Sequence, residues 1–188
     1  MREDELRELA GYPSAPEISF MGQAWAIRED GLPALIRFSL ASRSDNPEEG
    51  TPLAVVYRLL EDCITDFSEF AQAAFDAKAE MEDLTAAIHQ LASWYCARNH
   101  WPALRLIGYV AENLQELDGK LIRAGGCGIA GLSAREACNV ALAACLEGRD
   151  EEDREMFLMD LDYEGDPASE ALAQLRQMQA ARKEADDG

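Results

Sequence analysis

Apolar positions along this chain recur at helical spacing almost everywhere, with one short exception near the start. Residues 3–10 read as a short helix closed by Gly11, after which Pro13 and Pro16 open a linker. Ile18 and Phe20 then alternate with polar or small residues. Trp25 and Ile27 do so again after Met21 and Gly22, which predicts a small β-hairpin. From Leu32 the period becomes helical. Pro33 suits a first turn, and Leu35, Ile36, Ser39 and Leu40 continue the segment to a loop over 43–50. Thr51 and Pro52 start a stronger helix with Leu53, Val56, Tyr57, Leu60 and Ile64 on one face.

Asp66 with Glu69 has the spacing of a capping box, Asp standing where Ser or Thr is usual. It leads into a stripe of Phe67, Phe70, Ala71, Ala74 and Phe75. Glu82 and Asp83 suit the N-terminus of the next helix, which carries Leu84, Ala87, Ile88, Leu91 and Tyr95. The pattern breaks at Asn99, His100, Trp101 and Pro102. A long helix is expected beyond, with Ile107, Val110, Leu114, Leu117 and Leu121 in a 3-4-3-4 seam too short to favour a coiled coil over core packing. Residues 125–131 form a flexible break. Ser133 caps a helix with Ala137, Cys138, Ala141, Leu142 and Cys145, closed by Gly148. Asp150 starts a helix with Met156, Phe157 and Leu161; Asp166 and Pro167 start a last one with Ala168, Ala171, Leu172, Leu175 and Met178. The expected fold is mainly α: a multi-helix bundle of about eight helices with a small N-terminal β-hairpin. Four segments are expected: an N-terminal helix and linker (1–16), the hairpin plus a helical body (17–98), a helical extension (99–165) and a C-terminal amphipathic helix (166–188). The two larger ones meet near 99–102.

Charge narrows the function. The 188 residues are 48% hydrophobic yet carry a net charge of -19. The charge is not segregated: residues 1–98 hold 8 Lys/Arg against 18 Asp/Glu, and 99–188 hold 9 against 18. Such a surface repels phosphate backbones and anionic lipid, so neither nucleic acid nor membrane is the expected partner. No apolar run approaches the roughly 20 residues of a membrane helix. The acidic start lacks the regions of a signal peptide, so a cytoplasmic location is expected. Cys63, Cys96, Cys127, Cys138 and Cys145 are odd in number and without C-x-x-C spacing, which suits reduced thiols rather than disulfides or zinc.

Candidate chemistry is thin. Gly126, Gly128 and Gly131 fit G-x-G-x-x-G, but a dinucleotide site needs a preceding strand, and residues 114–124 have helical periodicity. His89 sits at the margin of a helix face, and His100 beside Trp101 and Pro102 reads as a joint residue. Cys96 and His100 would be i, i+4 only in an unbroken helix, without a third orienting group. The acidic run 150–155 suits a solvated helix start rather than a calcium loop. Hence no catalytic, cofactor or metal residue is expected, and the chain reads as a non-enzyme. Leu172, Leu175 and Met178 fit either docking on the protein's own core or partner binding.

Two stretches carry a family resemblance. The first runs Ile18-Ser-Phe-Met-Gly-Gln-Ala-Trp-Ala-Ile27, then Arg58-Leu-Leu-Glu-Asp-Cys-Ile64, 67–78 and 83–97. The second runs Trp101-Pro-Ala-Leu-Arg-Leu-Ile107, Leu117-Asp-Gly-Lys-Leu-Ile-Arg123, Leu132-Ser-Ala-Arg-Glu-Ala-Cys-Asn139 and Glu147-Gly-Arg-Asp-Glu-Glu-Asp-Arg-Glu155. Together they resemble the tail assembly chaperones of long-tailed, siphovirus-like phages of actinobacteria. The first stretch is similar to that family's opening hairpin and helical body, the second to the downstream extension it often adds by ribosomal frameshifting. The family commonly joins the two by a Pro/Ser-rich stretch, whereas 94–102 passes almost directly between them here. A single-frame fusion and a frameshifted long form both stay open. The resemblance implies a non-catalytic role in the host cytoplasm, binding the tape measure protein and helping to recruit tail tube protein, with no cofactor, as a monomer or a homo-oligomer. The other reading of the same plan is a structural subunit of the particle, a connector or tail component. Client contact is expected on Met156, Phe157, Leu161, Leu172, Leu175 and Met178.

Overall fold

The computed structural model describes residues 16–43 and 51–162. They form a two-stranded antiparallel hairpin, β1 (Glu17–Phe20) and β2 (Gln23–Ala26), followed by eight helices. These are α1 (Leu32–Ser42), α2 (Pro52–Cys63), α3 (Phe67–Asp76), α4 (Met81–Cys96), α5 (His100–Glu112), α6 (Leu114–Arg123), α7 (Ala134–Leu146) and α8 (Glu151–Asp162). A 3-10 turn at Ile129–Gly131 separates α6 from α7. The chain is therefore mainly α with a small N-terminal hairpin.

The hairpin turns on Met21 (φ 50) and Gly22 (φ 75), both left-handed, as a tight two-residue turn requires. Alternation puts Ile18, Phe20 and Trp25 on the inner face. There the Phe70 ring of α3 lies 4.5 Å from Phe20 and 5.4 Å, edge-on, from Trp25. Both hairpin edges are closed. On one side Thr65 N–H donates to Ala26 O (3.0 Å) and Arg28 N–H to Cys63 O (2.8 Å). On the other, the Gln90 side chain of α4 accepts from Ser19 N–H (2.9 Å) and donates to Ser19 O (2.8 Å). An amide thus takes the place of a neighbouring strand.

The middle of the bundle is α5, whose Ala103, Leu106, Ile107 and Val110 are buried and which packs on α1, α4 and α7. One hydrophobic core runs from Ile18 in the hairpin to Leu161 in α8 and crosses the boundary drawn at 98/99. Gly31 and Gly108 let neighbours come close: a Cβ at Gly31 would stand 2.3 Å from the Tyr95 ring. Tyr95 in turn donates its hydroxyl to Arg28 O (2.7 Å), which ties α4 to the segment leading into α1.

Four expectations change. The long helix after Pro102 is two helices. Asn113 closes α5 with both its backbone N–H (3.0 Å) and its side-chain amide (2.9 Å) donating to Tyr109 O, and the chain turns there. Leu114 is consequently at the surface and the seam is interrupted. Asp66 precedes α3 but makes no side-chain cap; its backbone carbonyl alone accepts from Glu69 and Phe70. Phe75, placed on the apolar stripe of α3, is 77% exposed. In α2 the buried face is Val55, Val56, Leu59, Leu60 and Cys63, so Leu53 is exposed, as is Leu40 at the end of α1.

Other signals hold. Ser133 and Glu136 form a full capping box on α7, with Ser133 N–H donating to Glu136 Oε2 at 2.8 Å and Glu136 N–H to Ser133 Oγ at 3.3 Å. The Ser133 N–H and then its hydroxyl (2.8 Å), both donating to Glu136 Oε2, hold that carboxyl below its usual range. The expected N-terminal helix (3–10) and C-terminal helix (166–188) lie outside the described residues.

Candidate partner-binding surface

α8 begins where Asp150 Oδ1 accepts from Asp153 N–H (2.9 Å). Its first turn carries Glu151, Glu152 and Asp153, favourable charges at a helix N-terminus. Only one side reaches the body. Leu161 is buried in the shared core and Phe157 packs half-buried against it, with the Arg149 guanidinium 4.9 Å over its ring. From α5, Arg105 donates to the carbonyls of Asp160 and Leu161, the latter at 3.0 Å, closing the end of the helix. The opposite side faces outward. Met159 is 74% exposed and Met156 is 53% exposed, one turn apart, with Leu158 exposed at the flank. Helical spacing sets Glu152 beside Met156 and Glu155 beside Met159.

The expected contact residues thus divide. Met156 is presented, Phe157 is half presented, and Leu161 is an anchor buried away from any partner. Leu172, Leu175 and Met178 lie outside the described residues. Leu158 and Met159 belong to the exposed side and were missed by sequence reasoning. The i, i+3 spacing of the two methionines was the signal available for them.

A second apolar depression of about 380 Å³ lies between α1 and α2, lined by Phe38, Leu40, Val55 and Leu59 and edged by the Arg37–Asp62 ion pair (2.9 Å).

The residues weighed for chemistry have structural surroundings. The glycine motif follows a helix, not a strand. Asp118 Oδ1 of α6 accepts from Ile129 N–H (2.8 Å), and Gly128 (φ 75) leaves room for that carboxylate. Cys96 and His100 do not share a helix, because Ala97 (φ 49) is left-handed and ends α4. His100 instead stacks on His89, ring centroids 4.0 Å apart, with Trp101 beside both. Partial burial and then the neighbouring His100 lower the His89 pKa. Among the described residues no group of three or more His, Cys, Asp or Glu side chains is placed to hold a metal ion. No described helix is long and apolar enough to cross a membrane. Set against known proteins, the chain matches no family model, no curated protein and no solved structure.

Proposed function

We propose that this chain is a non-catalytic tail assembly chaperone of a long-tailed phage, which grips the tape measure protein and helps recruit tail tube subunits in the host cytoplasm. One observation carries the reading: α8 holds Met156 and Met159 out to solvent amid carboxylates while its other side is fastened to the core. Methionine side chains are flexible and polarisable, so they adapt to varied apolar partners. The acidic setting favours client segments that alternate apolar and basic residues. It also keeps loaded complexes apart by like-charge repulsion.

Co-expression with the cognate tape measure protein tests the proposal. The wild type should keep the client soluble and co-purify with it. Met156→Glu with Met159→Glu should lower capture at least tenfold while the circular dichroism spectrum stays unchanged. Raising the salt should weaken capture as the attraction is screened. A client equally soluble with the double variant would remove α8 from the contact, and a client insoluble with the wild type would remove the function itself. Charge substitutions at Leu172 and Leu175 ask the same of the C-terminal stripe.

A further inference from the structure

Along α8 only Phe157 and Leu161 turn apolar side chains to the body, and Met156 and Met159 stand exposed on the other side. The helix is also strongly acidic. Glu151–Asp162 holds six Asp or Glu against one Arg, and four of the six fall in its first five residues. A cover that suits this side is therefore apolar towards the end of α8 and basic towards its start. Residues 163 onward follow α8 directly and lie outside the described residues.

Their sequence has that order. Four residues, Tyr163 to Asp166, precede Pro167, where a helix is expected to begin. A connection of that length suits two antiparallel helices. At helical spacing Ala171, Leu172, Leu175 and Met178 share one side, and the basic residues come late, with Arg182 on that side and Arg176 and Lys183 at its margin. Residues 167–183 hold three Lys or Arg and one Glu in a chain whose net charge is -19. Both helices would rise equally per residue, so the levels can be matched. Arg176 is nine residues beyond Pro167, and Asp153 is nine before Asp162. The same matching brings Ala168 and Ala171 to either side of Met159, and Leu172 and Leu175 to either side of Met156.

We propose that the outer side of α8 is the docking surface for residues 167–183 of the same chain. They pack antiparallel, with the leucine stripe over Met156 and Met159 and the basic end against the acidic first turn. A client gripped by α8 would have to displace this segment, but the docking itself needs no client.

Methionine oxidation measures the cover directly, because exposed thioethers oxidise fastest. Full-length protein without client is pulsed with hydrogen peroxide, and sulfoxide at each methionine is followed by mass spectrometry. The exposed Met21 and Met81 are internal references. Met156 and Met159 should oxidise about fivefold more slowly in the wild type than in Leu172→Glu with Leu175→Glu, while both references keep their rates. Arg176→Glu with Arg182→Glu leaves the leucines in place and should also speed oxidation, as should high salt. Protection should be unchanged on dilution, as an intramolecular contact requires. Equal rates in the wild type and the leucine variant overturn the proposal, and so does full protection in the arginine variant. Protection that fades on dilution overturns it in favour of a second copy of the chain. With no client in the tube, none of these outcomes bears on tape measure capture, which the co-expression test decides separately.

Discussion

The hairpin end of the molecule and α8 are both rich in large apolar side chains, and they use them in opposite ways. Around α3, Phe70 is fully enclosed by Phe20, Trp25 and Phe67, and both hairpin edges are hydrogen-bonded. Along α8 one residue, Leu161, is buried, and Met156, Leu158 and Met159 face water. Hydrophobicity alone does not separate the two. Converging elements do: Phe20 of β1 and Trp25 of β2 close on Phe70 of α3, while α8 makes its main packing contact with α5. One end spends its apolar surface on folding and the other leaves it at the surface.

Substitutions can break that contrast. Phe70→Ala should have the largest effect, lowering unfolding free energy by about 3–5 kcal/mol in urea titration. Met159→Ala should stay within about 0.5 kcal/mol, as a surface change does. Near-equal losses would mean that the hairpin end is not the anchor. Leu161→Ala should release α8 locally at a cost of about 2 kcal/mol. In hydrogen exchange the α8 amides should then exchange roughly thirtyfold faster while α4 keeps its protection. Loss of protection in both helices would make α8 part of the cooperative core. Caps provide a finer comparison. Ser133→Ala should cost about 1 kcal/mol, and Asp66→Ala much less, because only Ser133 caps through its side chain.

The smallest effect is on pH dependence. His89 has a folded pKa below its ordinary value of 6.5, so the unfolded chain binds the proton more readily. Stability is therefore full above about pH 6.5 and declines as the pH falls below it. His89→Gln should flatten that decline in melts between pH 7 and 5; an unchanged slope would assign it to other groups.

Most of the element plan was legible because it is written in local patterns. The hairpin alternation, the Ser133 cap, the helix start at Thr51 and Pro52 and the glycine loop between helices are all decided by residues within a few positions of one another. What was not legible depends on distant partners or on competing hydrogen bonds. Asn113 gives no sign in the apolar period that it will end one helix, with its backbone N–H and side-chain amide both on the Tyr109 carbonyl. Phe75 has the right spacing for the core, but the elements around α3 close on Phe70 and leave nothing over it. For the surface on α8, the positions of Met156 and Phe157 could be read from spacing. The inward role of Leu161 could not, since it depends on α5 lying behind α8 and on Arg105 reaching its last carbonyls.

The amide of Gln90 has a consequence beyond holding Ser19. A protein that displays sticky side chains runs the risk that its main chain becomes sticky too, for an open strand would zip onto any extended segment it met. With the main-chain groups of Ser19 already paired, such a segment finds neither donor nor acceptor at that point of the border.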